Sequence, residues 1–314
     1  MTHAVIIGGR GKVGTYLVPA LVRAGTTVSV VGRSGGATAG AEWGEVSYLR
    51  LDRAEPGFAD RIARLEPDVV VDMICFRDDD LGAMMEALRG RVGHYLVCGS
   101  VWMHGPAGVV PYGEDECRQP WGEYGVQKDR MDRRVATAWR QTGFPGTAVH
   151  PGHIVCPGDV PVNPQGCKSL DAFAVLRDGG ELWLPNLGLE TLHHVHAEDV
   201  AGVFLAAIRA GERSFGEGFH AVSPRAVTLR GYAEEVARWY GRRADLRFVP
   251  AGDLSSHLGT ELAAQTIEHI EHSPNASMAK AAALLGFVPQ HTTYQAVREC
   301  LVSFGLLSDA DWAG

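Results

Sequence analysis

Unbroken runs of Val, Ile and Leu, separated by stretches in which apolar residues return every three or four positions, organise the first half of the chain. The runs are HAVIIGG from position 3, TVSVVG from 27, EVSYLRL from 45, PDVVVDMI from 67, HYLVCGS from 94 and GTAVHPG from 146. A strand with one wet face alternates apolar and polar residues. These runs do not, so they predict strands buried on both faces, as in a parallel sheet covered by helices. The intervening patterns predict helices over 13–24, 81–88 and 124–140. Strand and helix taking turns in this way describe an α/β, doubly wound fold.

Beyond CPGD at 156 the rhythm loosens, with Pro157, Pro161 and Pro164, a helical pattern at 170–177 and a strand-like ELWLP from 181. TLHHVHAEDVAGVFLAAIRAG from 191 predicts a strand and then a helix, and GFHAVS from 218 another strand. Helical patterns follow at 229–240, 260–271 and 292–303, without a second glycine-rich turn. The expected division is a sheet-containing unit of 1–156 with about 191–222, and a smaller C-terminal lobe of 157–190 and 223–314. That lobe is expected over the carboxyl edge of the sheet, where open α/β folds hold ligands.

Composition narrows the partners. With 314 residues, 46% hydrophobic and 21% charged, the chain has the make-up of a globular protein with a sizeable core. Lys and Arg number 29 against 37 Asp and Glu, a net charge of -8, and no long basic run occurs. Neither nucleic acid nor an anionic membrane surface is expected as a partner. Six cysteines lack any CxxC pairing, the apolar run at 4–7 follows Met1 too closely for a leader, and no stretch is long enough to span a bilayer. A reducing cytoplasm is the expected location.

The first strand ends in GGRGKVG, which places Gly8, Gly9, Gly11 and Gly14 before the first helix, with Arg10, Lys12 and Val13 among them. A turn of this kind lets backbone amides approach a pyrophosphate, which the positive end of the helix helps to neutralise. This makes the first unit a Rossmann-type NAD(P)-binding candidate. An acidic residue ending the second strand would bind the adenosine ribose diol, yet none occurs between Ala24 and Ala41. Arg33 stands there instead, and with Arg10 it forms a candidate clamp for a 2'-phosphate, favouring NADP(H) over NAD(H). Asp52, after the third strand, is a candidate partner for the adenine amino group, with a turn or cap role as the alternative.

Tyr124 and Lys128 lie one helical turn apart and share a face. A free tyrosine is a poor acid or base near neutrality, and an adjacent ammonium is expected to lower its pKa. Ser100 ends the fifth strand at the carboxyl edge, where its hydroxyl can hold a substrate oxygen. A Tyr-x-x-x-Lys pair alone is ordinary helix decoration; together with the glycine turn and the strand-ending serine it becomes a candidate catalytic set.

With these residues in place the chain resembles the extended or atypical branch of the short-chain dehydrogenase/reductase superfamily, often labelled NAD-dependent epimerase/dehydratase. The likeness runs through GGRGKVG, SVWMHG from Ser100, YGVQK from Tyr124, HPGHIVCPG from His150, HHVHAEDVA from His193 and SMAKAAALLGFVP from Ser277. It implies that Ser100, Tyr124 and Lys128 are catalytic, Lys128 binding the nicotinamide ribose as well. It also implies that Pro151, Ile154, Met73 and Ile74 line the cofactor, and that the protein is a homodimer packed through the Tyr124 helix. Where nucleotide-sugar epimerases of this family carry Arg, Asn and Arg, this chain has His150, His153 and Leu192. That departure argues against a nucleotide-sugar substrate.

Trp102, Met103 and His104 follow Ser100, and His150, His153 and Cys156 follow the sixth strand, so all six are expected to line the substrate space. Such groups suit a compact, partly polar ring. His193, His194 and His196 cannot all share one strand face, so no metal site is expected, and Asp199 is expected to cap the helix that follows. The reading reached is an NADP-preferring oxidoreductase moving hydride between nicotinamide and a secondary alcohol or ketone of a small molecule, Tyr124 being the general acid/base. The alternatives are an epimerase or dehydratase with tightly held cofactor, and a non-catalytic cofactor-sensing or RNA-binding relative.

Overall fold

A computed structural model describes residues 2–33, 40–116 and 118–308. The strands read from the apolar runs form as β1 (His3–Ile7), β2 (Thr27–Gly32), β3 (Ser47–Arg50), β4 (Val69–Asp72), β5 (His94–Cys98) and β6 (Gly146–Pro151). Between them run α1 (Gly14–Arg23), α2 (Phe58–Ala63), α3 (Asp78–Leu88) and α4 (Gly122–Thr142). The second half adds β7 (His153–Val155), β8 (Glu181–Pro185), β9 (Thr191–Leu192), β10 (His194–His196), β11 (Gly218–Ala221), β12 (Val227–Thr228) and β13 (Asp245–Val249). Its helices are α5 (Asp171–Asp178), α6 (Ala197–Ala210), α7 (Leu229–Trp239), α8 (Ser255–Leu258), α9 (Thr260–His272), α10 (Ala279–Leu285) and α11 (Thr293–Ser303).

The central sheet has seven strands in the order β11-β6-β5-β4-β1-β2-β3, every pairing parallel. The uninterrupted apolar runs have the cause the sequence predicts, since both faces are covered. Along β1, Ala4 and Ile6 join the core under α1 and α6, while Val5 and Ile7 join the one under α2, α3 and α4. Strand order reverses between β1 and β4, and at that point a doubly wound sheet opens its ligand crevice.

A third core gathers Phe173 and Leu176 of α5, Leu182 and Leu184 of β8, Tyr232 and Val236 of α7, Ile270 of α9, and Val297 and Leu301 of α11. The sequence reading contains no counterpart of β13, whose DLRFV is half exposed and pairs in parallel with the short β8. The first half of DLRFV alternates too briefly to register as a strand. Among the described residues no helix is long and apolar enough to cross a membrane. Cys75, Cys98, Cys156, Cys167 and Cys300 are free thiols; Cys117 lies outside the described residues.

Candidate active site

The glycine turn at the end of β1 fits a dinucleotide on steric grounds. Gly8 has φ +79°, and a Cβ there would meet Ile74 Cγ2 at 2.8 Å. A Cβ on Gly14 would lie 2.1 Å from the Gly9 carbonyl oxygen, so only glycine lets α1 start this close to the turn. The first turn of α1 carries no acidic residue and no side chain caps it, which leaves the amide end of the helix dipole open to an anion. Met73 and Ile74 stand against the turn, Met73 N–H donating to Ile7 O at 3.1 Å. Val13 is buried in the core behind it, and Pro151 and Ile154 lie on β6 and β7.

Charged groups around this turn are arranged in ways the sequence did not announce. Lys12 forms an ion pair with Asp159, a residue of the loop after β7. Arg10 places its guanidinium 5.6 Å from the Tyr48 ring centroid, and Arg33 is exposed just past the end of β2. Asp52 accepts from the Ala54 N–H at 3.0 Å, the Asx-turn alternative. Asp72, fully buried at the end of β4, pairs with Arg53 and accepts from the Tyr95 hydroxyl at 3.0 Å and the Ile74 N–H at 3.3 Å, which anchors the Met73–Ile74 bend.

Ser100, Tyr124 and Lys128 come together. Ser100 caps a short 3-10 turn by accepting from Trp102 N–H at 3.2 Å, and α4 packs directly on that turn. Gly125 makes the packing possible: a Cβ there would lie 2.9 Å from Trp102 O. Lys128 is 1% exposed and donates to Cys75 O and Cys98 O, both at 2.7 Å. Two of its three N–H donors are therefore spent on the ends of β4 and β5, leaving one for the crevice. The residue Tyr124 is 40% exposed, yet its hydroxyl end is desolvated enough to push its pKa up to about 12. Charge on Cys98 adds to the rise and a hydrogen bond from Ser100 opposes it. The expectation that Lys128 acidifies the phenol is corrected here, because burial is the larger influence and the ammonium is engaged by carbonyls. Lys128 is itself lowered by burial.

The six residues expected around the substrate separate into two groups. Trp102 and His153 stay with Tyr124: Trp102 lies edge-on to Tyr124 at 5.8 Å and to His153 at 6.5 Å. Met103, His104 and His150 turn inward instead, at 0%, 2% and 0% exposure: the 3-10 turn carries Met103 and His104 into the core, and His150 points inward from β6, a strand buried throughout. His104 shares a 2.8 Å hydrogen bond with His220, and His150 pairs at 2.9 Å with Asp132, which Arg118 holds from its other side. Burial keeps His104 and His150 low in pKa, while the hydrogen bonds from His150 and Arg118 and the Arg118 charge hold the Asp132 carboxyl well below the usual carboxylate range. Cys156 is 8% exposed and its carbonyl accepts from the Cys300 thiol at 2.9 Å.

Residues from distant segments complete the wall. His272 of α9 stacks on Trp102 at 4.0 Å and on Trp121 at 4.6 Å, between the two indoles. His269, one turn earlier, is 5.6 Å from Trp102 and 5.0 Å from His153. The sequence signal available was His269 and His272 at one helical face; nothing local connected it to Trp102.

The histidines at and just before β10 diverge. His193 is satisfied by Ser223 O and Ala276 N–H, and His194 donates to Val162 O at 2.9 Å. His196, not Asp199, caps α6 by accepting from Glu198 N–H at 3.2 Å. Asp199 instead grips the loop before α11 through the N–H groups of Gln290 and His291. Among the described residues one group, His196, His291 and Glu299, brings ligand atoms within 4.8 Å of one another. With Nδ1 accepting from the helix, the His196 proton sits on Nε2; Glu299 is 3.2 Å away but not aligned to accept it, and a protonated nitrogen is not a metal ligand.

Comparisons with known proteins agree with this geometry. The model of the NAD-dependent epimerase/dehydratase family matches residues 81–219. The chain is 31% identical over 253 residues to the 2'-dehydrokanamycin reductase of Streptomyces kanamyceticus, covering 79% of this chain and 70% of that one. The dTDP-glucose 4,6-dehydratase of Bacillus anthracis, solved with NAD, superposes with a TM-score of 0.74 at 12% identity over 99% of both chains. The UDP-glucuronic acid 4-epimerase of Bacillus cereus does so with 0.70 at 15% identity, over 97% of this chain and 99% of that one. These two share the fold. The glycine turn, the set of Ser100, Tyr124 and Lys128, and the reductase relative converge on one conclusion: the chain belongs to the NAD-dependent epimerase/dehydratase family and is an NAD(P)-dependent oxidoreductase/epimerase of the short-chain dehydrogenase/reductase type.

Proposed function

We propose that this protein reduces a ketone on a small sugar-like ring to a secondary alcohol, using NADPH in preference to NADH. The observation that carries the reading is Tyr124, packed against the Ser100 turn through Trp102 and Gly125, standing beside a Lys128 that keeps one donor for the crevice. When bound, the dinucleotide supplies the hydride. Ser100 donates to the carbonyl oxygen and orients it; as the carbon takes the hydride, the C=O π electrons pass to oxygen, and Tyr124 gives that oxygen its proton, leaving a secondary alcohol. A phenol held protonated by burial suits the donating direction. Lys128 serves as the anchor of the nicotinamide ribose.

Arg33 and the Arg10–Tyr48 pair support the NADPH preference, as does the lack of a carboxylate between Ala24 and Ala41. His150, His153 and Leu192, where nucleotide-sugar enzymes carry Arg, Asn and Arg, count against a diphosphate substrate, and the similarity to a reductase of an aminoglycoside ketone favours a glycoside. In this reading 157–190 and 223–314 form the substrate lobe, the location is the cytoplasm, and two copies pair through the Tyr124 helix, α4. Tyr124→Phe tests the chemistry, with 2'-dehydrokanamycin as probe: kcat is expected to fall about 10²–10⁴-fold with NADPH affinity unchanged. Unaltered turnover would overturn the assignment. The match to an epimerase/dehydratase family model favours a second reading, transient oxidation by a retained cofactor. It predicts protein that purifies with dinucleotide bound and converts its substrate without net loss of NADPH.

A further inference from the structure

Three imidazoles near Trp102 and His153 are fixed so that their remaining ring nitrogens are acceptors, and the fourth, His153, keeps one donor and one acceptor unpartnered. In His272, Nδ1 faces the Glu268 carbonyl at 2.9 Å, so it carries the proton and Nε2 is a lone pair. That Nε2 is buried with no partner, in a ring 4% exposed between Trp102 and Trp121. In His269, Nδ1 donates to Gly166 O at 2.7 Å, which leaves Nε2 as the acceptor. In His194, Nε2 donates to Val162 O at 2.9 Å and the buried Nδ1 is unpartnered. His153 lies within 5.0 Å of His269 and 5.7 Å of His194, and both of its ring nitrogens are buried without partners.

Buried polar atoms left unpaired cost about 1–3 kcal/mol each, so a cluster of them in a native protein points to a ligand or ordered water that satisfies them. Burial keeps all four rings neutral, His194 with a pKa of about 4. Neutral acceptor nitrogens repel phosphate oxygens, which also only accept, and match O–H and N–H donors. The indoles add flat apolar faces for the C–H side of a saturated ring or for an ammonium. Lys168 acts on His153, His194 and His269 and is itself influenced by Lys12 and Asp159, which places it between these rings and the glycine turn rather than at the indoles.

We infer that Trp102, Trp121, His153, His194, His269 and His272 form the substrate subsite, and that it selects a ring bearing hydroxyl and amino donors, an amino-sugar ring, over a nucleotide diphosphate sugar. This rests on the reductase reading for the position of the reacting carbon, but not for its test, which is binding. Kanamycin, the alcohol counterpart of the relative's ketone, is titrated calorimetrically into protein saturated with NADP+, with UDP-glucose as the contrasting probe. Kanamycin is expected to bind and UDP-glucose to bind at least tenfold more weakly. His272→Phe and His153→Leu are each expected to weaken kanamycin at least tenfold with NADPH affinity unchanged, which shows the fold intact. Trp121→Leu, at a residue 36% exposed and so safe for folding, is expected to weaken it severalfold. Tyr124→Phe is expected to bind kanamycin normally, so loss of catalysis and loss of recognition are read separately. Wild-type affinity in the His272, His153 and Trp121 variants, tighter binding of UDP-glucose, or no kanamycin binding at millimolar concentration would each overturn the inference.

Discussion

The two sides of the crevice are built on opposite principles. On the glycine-turn side the working groups are backbone amides, exposed by the want of side chains at Gly8 and Gly14 and backed by a sheet of Val, Ile and Leu. On the far side the working groups are side chains, imidazoles and indoles whose tautomers are set by backbone carbonyls of other segments. The first construction tolerates changes of pH and resists changes of shape. The second depends on protonation state, because each of its rings is stable only while neutral.

Acidification is the strongest way to separate them. Burial holds His193, His194 and His196 each at a pKa of about 4 in the folded protein, below the ordinary value near 6.5. Between those values the unfolded chain binds protons that the native one refuses, so stability falls as pH drops through 6.5 and stops falling below about 4. Each such histidine costs about 1 kcal/mol between pH 6.5 and 5.5, where its unfolded form goes from half to nearly fully protonated, so the three together remove on the order of 3 kcal/mol. Urea midpoints at pH 7.5 and 5.5 measure these together with the other buried histidines, His94 at about 4 and His104 at about 3 among them. Hydrogen exchange corrected for intrinsic rates measures the place: β10 and α6 are expected to lose protection before β1, β2 and β4. Uniform loss across the sheet would break the contrast.

The complementary blow is to shape. Gly14→Ala forces a methyl group to within 2.1 Å of the Gly9 carbonyl, and backbone on both sides of the turn must move. A loss of about 3 kcal/mol in stability is expected, in the range of overpacked cores, together with loss of dinucleotide binding. The change is insensitive to pH, which denaturation at pH 7.5 and 5.5 checks; a destabilisation that grows with acid would show that the two sides are energetically coupled.

This difference also explains what the sequence disclosed. Strands β1 to β6 and helix α4 were legible because each is specified within its own few residues, by an apolar run or a helical repeat, and the glycine turn because its reason is local. Tyr124, Lys128 and Ser100 were legible for the same reason, as spacing on one helix and the end of one strand. The inward turn of Met103, His104 and His150 was not, because it depends on a 3-10 segment and on Asp132 and His220 from elsewhere. Gly125, which lets α4 rest on Trp102 O, reads in the sequence as an unremarkable helix glycine. His269 and His272 are more than a hundred residues from Trp102 and acquire meaning only when α9 crosses it.

The smallest expected effect probes the cofactor's far end, where shape and charge meet. Arg33 is exposed beside β2, and Arg10 lies against Tyr48, so a 2'-phosphate there would gain from a cation in high dielectric rather than from a buried pair. Arg33→Ala is therefore expected to raise the Kd for NADPH about tenfold, equivalent to about 1.4 kcal/mol, and to leave that for NADH within twofold. The NADPH penalty is expected to shrink as salt is raised, since an exposed charge is screened within about 10 Å at 0.1 M. Equal losses for both dinucleotides would mean that Arg33 supports the adenosine by contact alone, and the preference for NADPH would then have to come from Arg10.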